Sequence, residues 1–429
     1  MRYRFFVYKL LLIFLLPLIL LFFMLNNLMK RRPICSFHSI FGKKTKPKGF
    51  RHYLWVQAAS AGEVRIAQTF FKAFQEKKGQ VGWLIITTTH SGYQMAQQVF
   101  QEQVEIVYLP RDFSFIIRNW FKRYPPLGFF IVENEVWPNL IDWLSKKNIK
   151  SAILNGKVND RTYQRYKKIR FFLSAAFNRI DLFCVQSPKD AERLIALGAI
   201  SKQVSIIGNA KYDQEFPDVS EAEQSHFLQE LGVDNQTKIL VAGSTHPGEE
   251  ELILDAFQIV KETDPKVILV IAPRNIERIA ALKELLSKRN LIYQVRSSIN
   301  IHQKAPILLL DTFGELTKFY KLAYLSFVGG SFVPVGGHNL LEPAAQGCPV
   351  LYGPYIKNFL EIAGLLSENG VGFEVRDSWE LAEKCLSLIN NSKQRYLLGE
   401  KARSLVRANR GATEKMAALF WSLLDEKAE

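Results

Sequence analysis

The sequence predicts an α/β protein in which two Rossmann-like domains face a cleft, preceded by an N-terminal transmembrane helix. Two observations predict the domains. Short apolar runs alternate with longer amphipathic ones, which is typical of βα units built around a parallel sheet. These runs form two sets, separated by a polar stretch from Gly208 to Ser220. A third observation predicts the membrane helix, because the run from Leu10 to Leu25 contains no polar side chain.

The composition is that of a globular protein of two or three domains. The chain has 429 residues, of which 48% are hydrophobic, so each domain can bury a core of its own and a disulfide-stabilised miniprotein is excluded. Ten of the 56 basic residues and none of the 41 acidic ones lie in residues 1–50. The rest of the chain, with 46 basic and 41 acidic residues, has an ordinary surface charge. We therefore expect no nucleic-acid partner.

The cysteines and histidines form no metal-binding or disulfide pattern. The four cysteines are far apart, with no C-x-x-C pair, and we expect free thiols in a reducing compartment. The seven histidines include no H-E-x-x-H motif or similar cluster. The sequence therefore predicts neither a metal site nor a cofactor.

Residues 1–32 are predicted to be a membrane anchor. Counted from Phe5, the apolar stretch has 21 residues with a single charge, at Lys9, which is long enough to span a bilayer core. A cleaved signal peptide is the alternative, but no small-x-small cleavage site follows the stretch. More basic residues follow the stretch than precede it, so the positive-inside rule places the rest of the chain in the cytoplasm. The predicted location is the inner (plasma) membrane, and the basic flank either also binds anionic lipid or only sets the topology.

Six short apolar runs predict the strands of the first Rossmann-like domain, residues 33–215. They are Tyr53–Ala58, Trp83–Thr87, Glu105–Leu109, Gly128–Val132, Ser151–Leu154 and Leu182–Val185. The longer amphipathic runs between them predict helices, so this part of the chain consists of consecutive βα units.

Five further runs predict the second Rossmann-like domain, residues 216–405. They are Lys238–Ala242, Val267–Ala272, Ile307–Leu310, Tyr324–Val328 and Pro349–Tyr352. The boundary between the domains is placed in the polar stretch ahead of the acidic helix start at Glu221. The end of the chain predicts two helices broken at residues 409–411, and residues 406–429 are assigned to a C-terminal helix.

Two Rossmann-like domains are also the architecture of many dehydrogenases. No G-x-G-x-x-G motif follows any of the predicted strands, so the dinucleotide-binding interpretation loses its main support. Ligands of open α/β sheets bind outside the carboxyl ends of the strands. The sequence therefore favours a cleft lined by strand-end loops from both domains, the architecture of two-domain nucleotide-sugar glycosyltransferases.

The first predicted strand is followed by small residues and then by a carboxylate. Residues 58–62 are all alanine, serine or glycine, which lets a ligand approach the backbone, and Glu63 opens the next helix. Glu63 has a structural explanation, since it can complete a capping box with Ser60. It also has a functional one, because it places a carboxylate at a strand end, where a general base is needed.

Two further carboxylates and a lysine follow other strands of the first domain. Glu133 and Glu135 come directly after the strand Gly128–Val132 and precede a Trp-Pro helix start. A functional site and a helix cap explain these acids about equally well. Lys211 lies at the domain junction, where it either reaches into the cleft or belongs to a hinge turn.

The densest motif of the second domain has four glycines within nine residues, from Gly329 to Gly337. Such a loop predicts backbone amides exposed to a ligand, with phosphate as the natural candidate, although glycine pairs also occur in plain turns. Asn339 and Glu342 follow on one face of the next helix, a spacing that suits ribose hydroxyls or a base edge.

Two other strand ends of the second domain carry candidate ligand-binding residues. The pair Pro273-Arg274 follows the second strand, and a guanidinium there would pair with phosphate. Phe313, Gly314 and Glu315 follow the third strand. Each of these two signals is weak by itself.

Six motifs, in order behind the predicted anchor, resemble those of the 3-deoxy-D-manno-octulosonic acid (Kdo) transferases of lipid A assembly. They are Q-A-A-S-A-G-E-V, V-E-N-E-V-W-P-N, G-N-A-K-Y-D, A-P-R-N, D-T-F-G-E-L and G-G-S-F-V-P-V-G-G-H-N-L-L-E-P-A-A-Q-G-C-P-V. The resemblance covers nearly all of the chain from about Gly49, and the last motif is specific. It implies a fold of the GT-B type, with an acceptor-binding first domain and a CMP-sugar-binding second domain.

The resemblance also implies an activity and a set of site residues. The activity is the inverting, metal-independent transfer of Kdo from CMP-Kdo to the glucosamine 6'-hydroxyl of a tetra-acylated lipid A precursor, lipid IVA, in lipopolysaccharide biosynthesis. Glu63 would be the general base, and Glu135 and Lys211 would stabilise the transition state. CMP would be held by Pro273, Arg274, Phe313, Gly314, Glu315, Asn339, Leu340, Leu341 and Glu342. The anchor would keep the enzyme at the cytoplasmic leaflet of the inner membrane, where its lipid acceptor lies.

The sequence departs from the family pattern in two places. The family usually has histidine in place of Gln57 and a His-Pro pair in place of Asn275-Ile276. Neither departure replaces a residue with an assigned role. Two other functions stay open, namely a transferase that uses a UDP-sugar on a lipid-linked acceptor and a membrane-anchored adaptor whose transferase body is inactive.

Overall fold

The computed structural model describes residues 3–14, 49–75, 81–108, 112–216, 219–234, 236–300 and 305–425. The chain divides into two units. The first comprises Met1–Gln214 together with Asn409–Glu429, and the second comprises Glu215–Ala408. Within the described residues, each unit holds a seven-stranded sheet whose strand pairs are all parallel.

The strands of the first sheet are β1 (Tyr53–Gln57), β2 (Gly82–Thr87), β3 (Glu105–Tyr108), β4 (Pro126–Val132), β5 (Ser151–Gly156), β6 (Leu182–Val185) and β7 (Val204–Ile206). Their order across the sheet is β3-β2-β1-β4-β5-β6-β7, which contains the Rossmann order of six strands. The helices of this part of the chain are α1 (residues 3–14), α2 (Ala61–Gln75), α3 (His90–Phe100), α4 (Ser114–Arg123), α5 (Pro138–Lys146), α6 (Asp160–Lys168), α7 (Arg170–Phe177) and α8 (Pro188–Leu197). Every residue of the central strand β1 is buried, which explains its nearly continuous apolar sequence.

The strands of the second sheet are β8 (Lys238–Thr245), β9 (Val267–Pro273), β10 (Tyr293–Val295), β11 (Ile307–Leu309), β12 (Leu325–Val328), β13 (Val350–Tyr352) and β14 (Gly372–Glu374). Their order is β10-β11-β9-β8-β12-β13-β14. The helices of this unit are α9 (Glu221–Glu230), α10 (Glu250–Thr263), α11 (Ile279–Lys288), α12 (Leu316–Leu322), α13 (Leu341–Ala345), α14 (Leu360–Glu368), α15 (Ser378–Ile389) and α16 (Ser392–Ala408).

The prediction of two parallel-sheet α/β units is confirmed, and each of the eleven predicted strands coincides with an observed one. Leu109, at the end of the third predicted strand, lies outside the described residues. The prediction missed β7, β10 and β14. Each has three residues at the edge of its sheet and is partly exposed, so none of them produces the apolar run that marks a central strand.

The chain returns to the first unit after α16. The predicted break at residues 409–411 separates α16 from the last helix, α17 (Ala412–Asp425). Met416, Phe420 and Trp421 of α17 are buried in the core of the first unit. The first unit is therefore completed by residues that follow the whole second unit in sequence.

Asp213 binds the start of α17, although the two are about 200 residues apart in sequence. Its carboxylate accepts the backbone N–H groups of Gly411 and Thr413, both at 2.6 Å. We expect Asp213→Ala to lower the free energy of unfolding by about 1–3 kcal/mol, because two N–H groups at the start of the helix lose a charged acceptor. Urea denaturation of the purified protein measures this. Asp213→Asn, which keeps one acceptor oxygen, should lose less, and a loss no larger than that of the exposed control Asp160→Ala would contradict the role of Asp213.

The predicted anchor is only partly described. Residues 3–14 are helical, and this helix packs on the first unit. Phe5 is buried beneath the guanidinium of Arg179, and Lys9 forms an ion pair of 3.0 Å with Asp142. Residues 15–32 of the predicted anchor lie outside the described part of the chain. Among the residues that the structure does describe, no helix combines the length and the apolar character needed to cross a bilayer.

Candidate active site

The acidic residues predicted for the site lie together at the carboxyl ends of two central strands of the first sheet. Glu63 is in the first turn of α2, directly after β1, and Glu133 and Glu135 follow β4. Strands β1 and β4 are parallel neighbours, so their carboxyl ends reach the same edge. Lys211 lies in a short 3₁₀ turn after β7.

Glu63 is held by the loop that precedes its helix. The Ala59 N–H donates to Oε2 of Glu63 at 2.7 Å, and the Ser60 hydroxyl donates to Oε1 at 2.9 Å. The N–H of Glu63 donates in turn to the Ser60 hydroxyl at 3.3 Å. These contacts resemble a capping box, except that the backbone N–H bound by the carboxylate is that of Ala59 rather than that of Ser60. The structural explanation of Glu63 is therefore present in the molecule, and it also fixes the position of the carboxylate.

The surroundings of Glu63 change its acidity. Burial raises the pKa of Glu63 most, the negative charges of Glu133 and Glu135 raise it further, and the hydrogen bonds from Ala59 and Ser60 oppose both effects. The result is a pKa of about 8, against an ordinary value of 4.5. A carboxylate with a pKa close to the working pH is suited to take up a proton, which is the task of a general base.

Lys211 is paired with Glu133 rather than with Glu135. Its Nζ lies 3.8 Å from Oε1 of Glu133, and both side chains are partly buried. Glu133 has a φ of 70°, a left-handed conformation that is uncommon for this residue type and turns the chain sharply at the end of β4. Sequence reasoning noticed Glu133 but assigned it no role. Its position directly after a central strand was the signal that could have identified it.

Glu135 lies on a loop that is fixed through its backbone. Gln57 donates its side-chain N–H to the carbonyl of Glu135 at 2.7 Å, and Tyr166 donates its hydroxyl to the carbonyl of Asn134 at 2.8 Å. The Thr88 hydroxyl lies 3.5 Å from the Glu135 carboxylate. Burial raises the pKa of Glu135, and the Thr88 hydrogen bond only partly opposes this. The loop therefore carries two acids, one paired with a lysine and one facing a hydroxyl.

The turn that carries Lys211 is held by two asparagines. Asn155 is fully buried at the end of β5, and its side-chain oxygen accepts the N–H of Ala210 at 2.9 Å. The side-chain oxygen of Asn209 accepts the N–H of Lys211 at 3.0 Å. Asn155 has a left-handed backbone with a φ of 59°. Sequence reasoning missed Asn155, whose role depends on contact with a residue far along the chain.

The four glycines of the loop from Gly329 to Gly337 have their amides bound within the protein and not open to a ligand, so that prediction is wrong. The N–H of Gly329 donates to the carbonyl of Gly243, and those of Gly336 and Gly337 donate to the carbonyl of Gly330. The N–H of Gly330 donates to the buried carboxylate of Glu249 at 2.7 Å and 3.0 Å.

Close packing explains why these positions are glycine. A Cβ at Gly329 would lie 2.3 Å from Oε1 of Glu249 and 2.5 Å from the carbonyl of Ser244. A side chain there would force apart the loops that follow β8 and β12. The glycines therefore let the two strand-end loops touch.

Two of the strand-end candidates of the second unit are exposed. Pro273 ends β9, and Arg274 follows with an exposed side chain and an N–H that donates to the carbonyl of Thr245 at 3.0 Å. Phe313 is 87% exposed, and Gly314 after it has a φ of 82° that favours glycine. This loop therefore presents an open aromatic face next to a sharp turn.

Glu315 is engaged by a residue that sequence reasoning missed. The Arg296 guanidinium lies 3.0 Å from the Glu315 carboxylate and 2.8 Å from that of Glu230, and it stacks over the ring of Phe227. Burial opposes ionisation of Glu315, but the hydrogen bond from Arg296 lowers the pKa of Glu315 below its ordinary value. Glu315 is therefore a carboxylate held in place by an arginine.

Asn339 and Glu342 lie close together, as their spacing predicts. The Asn339 amide is 3.5 Å from Oε1 of Glu342, and its side-chain oxygen accepts the N–H of Leu341 at 3.1 Å. Leu340 and Leu341 are fully buried. Within the part of the chain that is described, no group of three or more histidine, cysteine or acidic residues could hold a metal ion.

Two protein-family models match the sequence, one in each unit. Residues 35–214 match the family described as 3-deoxy-D-manno-octulosonic-acid transferase (kdotransferase), and residues 229–405 match the family described as glycosyl transferases group 1.

Curated relatives extend the similarity to nearly the whole chain. A 3-deoxy-D-manno-octulosonic acid transferase from Haemophilus influenzae is 31% identical over 430 residues, covering 99% of both chains. The protein of the same name from Aquifex aeolicus is 30% identical and is covered over 94% of its length. A bifunctional glycosyltransferase/methyltransferase from Fusobacterium nucleatum is 34% identical over 346 residues, and this chain spans 53% of that longer protein.

Solved structures with little sequence identity share the fold. A putative UDP-N-acetylglucosamine 2-epimerase from Listeria monocytogenes has a TM-score of 0.59 at 13% identity, over 87% of this chain and 97% of its own. A glycosyltransferase from Rickettsia africae has a TM-score of 0.56 at 14% identity, over 88% of this chain and 99% of its own. These likenesses and the two parallel sheets confirm the predicted GT-B fold.

Proposed function

Because this chain belongs to the Kdo transferase family and is a glycosyltransferase, we propose that it transfers Kdo from CMP-Kdo to a lipid A precursor in lipopolysaccharide biosynthesis. The observation that carries the proposal is the acidic cluster at the end of β1 and β4. There a partly buried carboxylate, that of Glu63, has a pKa raised to about 8 by desolvation and by the charges of Glu133 and Glu135. A hydroxyl acceptor needs such a base.

The proposed reaction is a single displacement on the acceptor hydroxyl, the glucosamine 6'-hydroxyl of lipid IVA. Glu63 takes the proton of the hydroxyl as its oxygen forms a bond to the anomeric carbon of Kdo. The bond between that carbon and the phosphate oxygen breaks, and CMP leaves with the electron pair. Attack and departure occur on opposite faces of the sugar, so the configuration inverts. Lys211, together with Glu135, is proposed to stabilise the transition state, and the Lys211 ion pair with Glu133 fixes the ammonium close to the base.

The proposed donor site lies in the second unit. Arg274 meets the phosphate of CMP, whose charge grows as the bond to Kdo breaks. Phe313, Asn339 and Glu342 are proposed to contact the nucleoside, as the family resemblance implies. Charge on the leaving phosphate is met by the guanidinium and by hydrogen-bond donors, so we propose that the reaction needs no metal ion.

The proposed location is the inner membrane, with the catalytic units at its cytoplasmic leaflet. The sequence supports this, because the apolar run from Leu10 to Leu25 is long enough to enter a bilayer and is followed by more basic residues than precede it. A lipid acceptor gives such an anchor a purpose, since tethering raises the local concentration of the acceptor.

The proposal is tested by transfer from CMP-Kdo, generated in the reaction mixture, to a tetra-acylated lipid A precursor. The purified full-length protein is assayed in detergent with a chelator present, and products are identified by mass. We expect stepwise addition of Kdo masses, with no dependence on added Mg²⁺. Transfer from a UDP-sugar but not from CMP-Kdo would contradict the donor. A requirement for Mg²⁺ would contradict metal independence.

A further inference from the structure

Two histidines of the second unit form a pair beside the glycine loop. His246 follows β8, and His338 lies 92 residues later. Their Nε2 atoms are 2.8 Å apart, their ring centroids are 5.0 Å apart and their planes lie within 5° of parallel, so the two rings lie side by side, edge to edge. At this distance one Nε2 donates its proton and the other accepts it, because two protonated Nε2 atoms would clash. In a neutral pair, the accepting ring therefore carries its own proton on Nδ1.

The pair is built into the packing of the two loops. Gly330 has a φ of 68°, and a Cβ there would lie 3.0 Å from Cδ2 of His338 and 3.5 Å from Cδ2 of His246. Glu249 ties the loops together, because its carboxylate accepts the N–H of Gly330 and its own N–H donates to the carbonyl of His246 at 3.3 Å. The histidines are therefore held in contact by the buried residues around them.

The electrostatic surroundings keep the pair uncharged. Burial lowers the pKa of His338 most, and the positive charge of Arg274 lowers it further, to about 4. Burial and the charges of Arg278 and Arg274 lower the pKa of His246. The nearby acids are already engaged, since Glu250 pairs with Arg278 and Glu249 binds the glycine loop. At neutral pH the pair is uncharged and keeps one N–H, on Nδ1 of the accepting ring, that the hydrogen bond between the rings does not use, and the positive charge of Arg274 acts on both rings.

We propose that the His246–His338 pair belongs to the donor site and donates its remaining Nδ1–H to an oxygen of the nucleotide phosphate, beside the guanidinium of Arg274. This inference rests on the proposed function and names a phosphate contact of the same site. A phosphate oxygen is the acceptor that suits both groups, because a neutral N–H and a guanidinium can each donate to it at neutral pH.

The pair acts as one unit in this proposal. One proton lies between the two Nε2 atoms, and the ring that accepts it is the ring that carries a proton on Nδ1. Loss of either ring therefore leaves the other without the hydrogen bond that fixes its tautomer and orientation. No proton leaves the pair during transfer. The N–H bond to phosphate strengthens as the phosphate charge grows from one negative charge to two on departure of CMP, which favours the transition state.

The test compares the binding of CMP with that of cytidine, which lacks the phosphate, by isothermal titration calorimetry on the full-length protein. The variants are His246→Gln, His338→Gln and the double variant, with the exposed His52→Gln as control. We expect each single variant to bind CMP about tenfold more weakly, equivalent to about 1.4 kcal/mol. Cytidine affinity should stay unchanged, which also shows that the site is folded. The double variant should lose no more than either single variant.

Three results with the variants would each overturn the inference. Unchanged CMP affinity in the single variants would show that the pair does not touch the phosphate. An equal loss for CMP and cytidine would show that the pair only supports the fold of the site. Losses that add in the double variant would show that the two rings act separately. A wild-type protein that binds no CMP would instead overturn the proposed donor, and this inference with it.

Discussion

The Glu63→Gln variant is expected to transfer Kdo about 10²- to 10⁴-fold more slowly than the wild-type enzyme, the range for loss of a general base. Glutamine keeps the length of the side chain and an oxygen that can accept the Ala59 N–H, now bound at 2.7 Å, so the loop should keep its shape. It cannot take up the proton of the acceptor hydroxyl. The rate of CMP release at saturating donor and acceptor measures the effect.

The pH dependence of kcat/KM tests whether Glu63 is the base. Burial and the charges of Glu133 and Glu135 raise the pKa of Glu63 to about 8, so the carboxylate is the minor form at neutral pH. The value of kcat/KM should rise as the pH passes through about 8, and this rise should be absent from Glu63→Gln. Glu133→Gln removes the neighbouring charge and should move the rise to lower pH.

The raised pKa of Glu63 also makes the free energy of unfolding depend on pH. Activity should rise as the pH passes through about 8, whereas the contribution of Glu63 to stability falls. The folded state holds the proton of Glu63 up to about pH 8, whereas the unfolded chain releases it near its ordinary value of 4.5. The stabilisation by this group is therefore complete below pH 4.5 and is lost as the pH rises through about 8. Glu63→Gln should be at least as stable as the wild-type protein at pH 8, so a loss of activity there is not a loss of fold.

The exposed Glu102→Gln serves as the matched control, since it makes the same change outside the cluster and should leave the rate unchanged. A Glu63→Gln variant that transfers Kdo at the wild-type rate would contradict the proposed base. It would leave Glu63 with only the capping contacts to Ser60 and Ala59.

The Lys211→Met variant is expected to have the second largest effect, a reduction of kcat by about 10²- to 10³-fold, as for loss of a positioned group that stabilises transition-state charge. The side chain of Lys211 is only 17% exposed, so water screens its charge weakly. Methionine keeps the apolar stem and removes the ammonium. Steady-state kinetics at saturating CMP-Kdo measure the change.

Lys211→Met also has a signature that a purely structural role would not produce. Without the ammonium, Glu133 is left unpaired, and its charge acts more strongly on Glu63. The rise of kcat/KM with pH should therefore move to higher pH, opposite to the shift expected for Glu133→Gln.

Lys189→Met is the matched control, because Lys189 also lies 3.8 Å from a carboxylate, that of Asp160, but both side chains are exposed. Exposed ion pairs contribute little, so its kinetics should equal those of the wild-type enzyme. If Lys211→Met behaved like Lys189→Met, Lys211 would have no part in the reaction.

Much of the fold followed from local sequence. Central strands such as β1 are buried on both faces, and their apolar runs are visible without any partner. The position of Glu63 was predictable because the apolar run of β1 is visible in the sequence, and a residue that follows a strand lies near the carboxyl end of that strand. The edge strands β7, β10 and β14 were missed because three partly exposed residues leave no pattern.

The charges within the site were decided by tertiary structure. Sequence reasoning grouped Lys211 with Glu135, but the left-handed backbone at Glu133 and the turn held by Asn155 bring Lys211 to Glu133. The raised pKa of Glu63 depends on burial and on charges that arrive from another strand. The spacing of residues along one segment predicts neither the burial of a side chain nor its contact with a charge from another strand.

The same limit applies to contacts between distant segments. The sequence by itself determined the alternation of strands and helices and the strand-end positions of the candidate residues, because both depend on neighbours along the chain. Only the tertiary structure decided three hydrogen bonds between distant residues. Glu249 accepts the N–H of Gly330, the Nε2 atoms of His246 and His338 bond to each other, and Asp213 accepts the N–H of Gly411 just before α17. Those pairs are 81, 92 and 198 residues apart, and packing of the complete units is what brings them together.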